Sequence, residues 1–386
     1  MAKMTPGTTH APDVRRPPVG APLYRHATAF VQRAARWAAV SLLCACAGAP
    51  FDPAQAEPDW YQTTGADWPL PAAPAETTTT GPPFHHRPHA RRSYAWPEHP
   101  TGALVLQTNG LGFREDQETA PMPAPDRPRW VALGDSHTDG VAHNAETWPN
   151  RLEARLGDQG IQVEVINAGA GHYGPAELQA AAARVLRLKP TGLILAPYLG
   201  NDLLDGLVAE ARAGGPPLPD QPPRVPRLAP LAARWPGIVH QQLNQDLLLA
   251  EHPAVAARAC AALATALRDV VVQAQAAGAA VVVAPIPGAL ELRPPEPAAG
   301  QAIQTGLGLG PTQLHQHRSC AAGLQNAVRA KLPNQAALRW VELDEALRLV
   351  GPAAVWSADH HLSVIGNDAM ATALVPAIAP GDHAAP

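Results

Sequence analysis

Charge is scarce in this chain. Asp, Glu, Lys and Arg make up 16% of 386 residues, and the balance is −4 at neutral pH with a pI near 6.5. Without a basic field to grip phosphates, nucleic-acid binding is disfavoured. Aromatic residues are also few, with 9 Trp, 5 Tyr and 4 Phe. Composition therefore leaves a sugar-stacking surface open without establishing one. Only four cysteines occur, and Cys44 and Cys46 fall in the N-terminal leader, which leaves Cys260 and Cys320. In an exported protein that pair fits a disulfide. It fits equally two small buried apolar residues in Ala-rich helices. No segment repeats at a fixed period, which excludes solenoids and propellers.

What the chain has in excess is proline (44) and glycine (31), concentrated in particular stretches. Such clustering marks linkers and insertions more than disorder throughout. The leader carries Arg15, Arg16, Arg25, Arg33 and Arg36, then the apolar stretch WAAVSLLCACAGA at 37–49. About 13 residues are short for a bilayer span and suit the core of a signal peptide. Two processing routes stand open: cleavage after Ala56 in AQA, or a lipobox-like LCAC that leaves Cys46 lipidated. A small buried helix is the plain alternative. Export is the expectation, to a bacterial periplasm, outer membrane or exterior.

Residues 57–100 show neither helical nor strand period and read as a Pro/His-rich tether. His85, His86 and His89 within it read as solvated linker residues, because a metal site needs pre-organised ligands. From residue 129 apolar strands alternate with helices: RWVALGDS, VEVINAG, GLILAPYLGND, AAVVVAPIPG and LRWVELDEAL. That alternation predicts an α/β fold with a parallel sheet covered on both faces. Ligands in such sheets bind beyond the carboxyl ends of the strands, where Ser136 and Asn201 fall. A Pro-rich insertion at about 206–250 interrupts the pattern, and its prolines argue against a regular element over 213–237. Residues 101–386 are thus read as one domain carrying one insertion, which is either a wall of the site or a surface excursion.

The stretch VALGDSHTDG (131–140) poses the functional question. Ser136 just past a strand is either a plain helix cap or a nucleophile that needs a base and oxyanion donors. WSADHHLSVIG near the C-terminus supplies Asp359, His360 and His361, with Ser363 placed to cap the final helix. YLGNDL presents the Asn201 amide. NAGAGHYG offers a glycine-bearing turn that can aim backbone N–H groups.

Together these residues resemble the SGNH (GDSL) hydrolase family of esterases and lipases. GDSHTDG, NAGAGHYG, LGND and DHHLSVIG are similar to its four blocks in order, and TNGLGFRED (108–116) is similar to a segment preceding the first block. The resemblance covers roughly residues 100–380. It implies a three-layer α/β/α sandwich with a flavodoxin-like sheet. It implies Ser136 as nucleophile, His361 as base and Asp359 as the acid. The Ser136 N–H, a second-block N–H and the Asn201 side chain would form the oxyanion hole. It implies no cofactor and no metal, and an ester of a small molecule, lipid or glycan as substrate.

Two positions depart from the family pattern. Its acid usually stands three residues before the base, but residue 358 is Ala and Asp359 stands two before His361. A bent loop would still make a triad, and otherwise Ser136 and His361 form a dyad. In the second block, counting from Asn167 reaches His172 where the family often has glycine, and Gly171 beside it is taken as the donor. Three functions follow as expectations: an exported esterase for a short acyl group such as acetyl, an O-acyltransferase on an envelope or extracellular polysaccharide, or a non-catalytic envelope glycan-binding or assembly protein.

Overall fold

The five strand-forming runs read from the sequence do form strands, and all five build one sheet. The computed structural model describes residues 57, 59–63 and 84–379, except 213, 220–223, 311, 312, 314, 316, 331 and 333–337. The expected leader, with Cys44 and Cys46, lies outside the described residues. Four short strands come first: β1 (Tyr61–Thr63), β2 (Phe84–His86), β3 (Arg91–Ala95) and β4 (Ala103–Gln107). They are followed by β5 (Arg129–Gly134), β6 (Glu164–Asn167), β7 (Gly192–Ala196), β8 (Ala280–Val283) and β9 (Leu338–Trp340). These last five make a wholly parallel sheet in the order β6-β5-β7-β8-β9. In chain order that is the flavodoxin-like arrangement.

Alternate residues along a strand face opposite sides, and both sides are apolar here. Val131, Leu133, Leu193, Leu195, Val281 and Val283 join one core. Helices Pro175–Val185, Asp202–Arg212, Pro253–Ala276 and His317–Arg329 cover it with residues such as Leu178, Leu207, Leu267 and Leu324. Ala132, Ile194, Ala196 and Val282 face the other core, beneath Trp148–Asp158, Asp344–Val350 and Val364–Ile378. The result is the expected α/β/α sandwich. Burying each of these Val, Leu and Ile side chains contributes about 1.5–3 kcal/mol. Cys260 and Cys320 form a disulfide with Cα atoms 5.4 Å apart, joining two helices of the first layer. Among the described residues no helix is long and apolar enough to cross a membrane.

The described parts of the expected tether are folded. β1 pairs antiparallel with β2, and β3 with β4. In β4 a period of two buries Leu104 and Leu106, and Trp60, Tyr61, Phe84 and Trp96 enter the same core as the sheet face. His85 and His86 are buried, which corrects their reading as solvated residues. Scattered aromatics, too far apart to make a period, hold this segment down.

The insertion also holds regular structure that its prolines argued against. Arg224–Arg234 is helical with Pro230 inside, and Asn244–Glu251 is helical after a π-helical turn, Val239–Leu243. Leu228, Leu231, Val239, Leu243 and Leu247 form a separate apolar cluster with Ile303 and Leu307 of helix Pro297–Leu307. That burial offsets the backbone hydrogen bond lost at Pro230. A Cβ on Gly237 would sit 2.7 Å from Asp359 Cα, so the insertion packs directly on the loop carrying the expected acid.

Candidate active site

At the end of β5 the chain turns straight into the short helix Ser136–Asp139. A side chain at Gly134 would collide with Thr138 Oγ1 and the Ala196 carbonyl, so only glycine fits this crossing. Asp135 caps the helix, its Oδ1 accepting from His137 N at 2.9 Å. The capping role open to Ser136 is therefore taken by its neighbour. Ser136 Oγ instead lies 2.8 Å from His361 Nε2.

His361 comes from the loop before the final helix, which Ser363 caps by accepting from Gly366 N. Its Nδ1 is 3.0 Å from Asp359 Oδ2, and its backbone N–H donates to Asp359 Oδ1 at 3.1 Å. The carboxylate can only accept, so Nδ1 carries the proton and Nε2 is bare toward the Ser136 hydroxyl. Burial lowers the His361 imidazole, but the charge and hydrogen bond of Asp359, with Asp135 and Asp139 beyond, outweigh it and raise the pKa above the ordinary value. His360 is buried, and desolvation lowers its imidazole to about 4. The loop is braced from the N-terminal segment, where Glu98 accepts from Ser357 N and Ala358 N at 2.6 and 3.0 Å.

The other two blocks frame the same edge of the sheet. Asn167 Nδ2 donates to Thr138 O at 2.9 Å, and its Oδ1 accepts from Gly169 N at 3.1 Å, which stitches the end of β6 to the serine helix. The Gly171 N–H donates to Asp139 Oδ2 at 3.2 Å. That bond corrects Gly171 as an oxyanion donor, because its single backbone proton is engaged elsewhere. His172 beside it holds a left-handed φ of 69°. Asn201 follows β7, and its carbonyl accepts from Leu204 N and Asp205 N as the helix Asp202–Arg212 begins. Its side-chain Oδ1 is buried without a partner. β7 lies beside β5 in the sheet, so Asn201 and Ser136 leave the same edge.

A buried ionic group anchors the far end of the serine helix. Asp139 Oδ1 accepts from Arg114 Nη1 at 2.7 Å, and its Oδ2 lies 3.2 Å from His86 Nε2. Arg114 also donates to Asn144 Oδ1 and to the carbonyls of Asp139, Gly140 and Ala142. Burial raises the Asp139 carboxyl, but His86 and Arg114 outweigh it and leave its pKa well below the usual range. The upstream segment TNGLGFRED (108–116) thus supplies, through Arg114, the clamp of the turn that carries Ser136.

Two polar residues in the site were not identified from sequence. His137 stacks on Tyr198 with ring centroids 3.9 Å apart, and its Nε2 is 2.9 Å from Gln241 Oε1. The Gln241 amide nitrogen lies 3.2 Å from His361 Nε2. Gln241 is buried on the π-helical turn of the insertion, a region without a periodic signal. Among the described residues, one group with metal-ligand chemistry occurs: His99, His143 and Glu146, with donor atoms within 4.8 Å. These are already joined by hydrogen bonds, Glu146 to the His99 ring and the His143 N–H, and Val105 N–H to His143 Nδ1.

No family model and no curated protein matches the sequence. Solved structures similar to the chain include TesA, at 16% identity, TM-score 0.39, over 65% of this chain and 98% of that one. A catalytic mutant of Axe2, an acetylxylan esterase from Geobacillus stearothermophilus, is similar at 13% identity, TM-score 0.39, over 65% and 94%. A GDSL-like lipase from Bacteroides thetaiotaomicron is similar at 13% identity, TM-score 0.35, over 67% and 91%. Likeness of this degree leaves the chemistry to be argued from the site itself.

Proposed function

We propose that the chain is a serine esterase of the SGNH kind, acting through an acyl-enzyme. The observation that carries this is the continuous Asp359–His361–Ser136 relay, with bonds of 3.0 and 2.8 Å. Ser136 Oγ attacks the ester carbonyl carbon while His361 Nε2 takes its proton. Asp359 stabilises the imidazolium and fixes its orientation. The Ser136 N–H and the Asn201 amide are the proposed donors to the oxyanion, where one such donor is worth roughly 10²–10³ in kcat. His361 then protonates the departing alcohol, and water, activated by the same imidazole, releases the acid.

A short acyl group such as acetyl is the proposed substrate part, and a polysaccharide hydroxyl taking the place of water would make the same intermediate an O-acyltransferase. The non-catalytic reading rested on the displaced acid, and the 3.0 Å contact of Asp359 with His361 favours the catalytic one. The test is p-nitrophenyl acetate turnover by the full chain beside Ser136→Ala. Turnover abolished by that change supports the reading, and turnover unchanged by it refutes Ser136 as nucleophile. Acyl transfer to an added sugar acceptor separates transferase from hydrolase.

A further inference from the structure

We propose that Gln241, supplied by the insertion, is a positioning residue for the catalytic base, acting on the His361 ring through a relay that begins at His137. This rests on the esterase reading and extends it to the insertion. A buried primary amide is costly unless both of its ends are engaged. Both ends of Gln241 meet imidazoles that flank Ser136. Its carbonyl oxygen can only accept, so the 2.9 Å contact with His137 Nε2 makes that nitrogen the donor. His137 is thereby held in one tautomer, and its other nitrogen, Nδ1, is buried without a partner. Burial first, and then the neighbouring His361, keep this imidazole neutral.

The amide nitrogen then faces His361, at 3.2 Å from Nε2 and 3.4 Å from Nδ1. Near-equal distances to both ring nitrogens put it across the ring face. An in-plane position so close to both would overlap the carbon between them. Gln241 therefore does not compete with Ser136 for the Nε2 lone pair or with Asp359 for the Nδ1 proton. It stops the ring from tilting off the serine, and its partial positive charge over the ring favours neutral imidazole, the form a base requires. His137 supports the same ring, with centroids 4.8 Å apart.

The backbone reinforces this assignment. Gln241 lies on the π-helical turn Val239–Leu243, a departure from α-helix that often marks function. Its neighbour Gln242 points elsewhere, bonding Asp246 Oδ2 and Leu290 N, and Gln245 bonds Leu199 O and Leu204 N. Those two glutamines knit the insertion to the scaffold, and only Gln241 of the three touches the triad. The charged and titratable groups acting on His361 are Asp359, Asp135 and Asp139, with His137 and His240 coupled to it electrostatically.

The experiment combines ester kinetics with NMR titration of His361 in the histidine-labelled full chain. Gln241→Met keeps the volume and removes the amide, and kcat should fall roughly tenfold with KM within about twofold, as expected for a misplaced base. Gln241→Glu puts a carboxylate against the ring and should raise the His361 midpoint by about one pH unit. His137→Phe keeps the stack on Tyr198 without the Nε2–H. Its defect should match that of Gln241→Met, and the double variant should be no worse than either. A Gln241→Met kcat within about twofold of wild type, or a His361 titration unmoved by Gln241→Glu, overturns the proposal. If wild type showed no Ser136-dependent turnover, the esterase reading would fall, and the His361 titration would still decide on Gln241.

Discussion

Asp359 holds His361 twice, through ring Nδ1 at 3.0 Å and through the backbone N–H at 3.1 Å, although only one residue separates them. The intervening His360 has a φ of 66°, and this left-handed turn folds the carboxylate back beneath the ring. The three side chains therefore line up in the order a triad requires, despite the shortened spacing. Asp359→Asn should lower kcat/KM by roughly 10³–10⁴, because the amide can favour the wrong tautomer. The pH profile gives a second check. Asp359 raises the His361 pKa, so wild-type activity should be lost on acidification with a midpoint above the ordinary 6.5. Without the carboxylate the midpoint should move to lower pH while the plateau falls.

The same turn predicts which residues position 360 tolerates. Glycine enters the left-handed region without steric cost, whereas a β-branched residue is a strained outlier there. His360→Gly should keep most of the activity. His360→Val should lower stability by about 1–2 kcal/mol and slow turnover through the displaced acid. Thermal melts and kcat on both variants test this, and equal behaviour of the two would show that the turn does not govern the triad.

The five strands of the sheet were legible because each is a short apolar run and helical stretches separate them, and buried parallel strands have few other signatures. Ser136 and Asn201 were legible as chemistry-bearing residues at strand ends, and His361 in the loop before the final helix. The clamp made by Arg114, Asp139 and His86 was not, since its members come from three distant segments and an isolated arginine reads as surface. The N-terminal strands were missed because Trp60, Phe84 and Trp96 are held by tertiary packing and not by period. Gly171 looked suitable by residue type, yet which way an N–H points is set by the turn, and here it points to Asp139.

Arg114 is fully buried and bonded to the carboxylate at the end of the serine helix. Removing one partner of a buried pair leaves the other charge uncompensated, which costs roughly 3–5 kcal/mol. Arg114→Leu should lose stability on that scale in urea unfolding. A loss below about 1 kcal/mol would mean that Asp139 is satisfied by His86 and the Gly171 N–H alone.

Asn201 and Gly171 should part ways when changed. Asn201→Ala should lower kcat by roughly 10²–10³ with little change in the melting temperature, as expected of an oxyanion donor. Gly171→Ala places a Cβ 2.6 Å from the Tyr61 hydroxyl, so its main effect should be a lower melting temperature. If Asn201→Ala also melted early with unchanged kcat, the residue would be a turn former and not a donor.

His317 gives the fold a stability window in pH away from the triad. It is buried, with Nδ1 2.9 Å from Asp246 Oδ1 and Nε2 3.3 Å from Glu291 Oε1. Burial opposes its charge, but the two carboxylates prevail and lift its pKa to about 9. A histidine that holds its proton more tightly when folded stabilises the fold fully below its unfolded pKa of about 6.5. That contribution drains away as the pH rises toward the folded value. Wild type should therefore melt well above His317→Gln at pH 6, by roughly 4 °C or more. At pH 9.5 the gap should narrow, because the wild-type imidazole is by then largely neutral beside two carboxylates. Melting curves at the two pH values decide it. A gap of equal size at both would show that His317 stabilises by packing and hydrogen bonding alone, not by its charge.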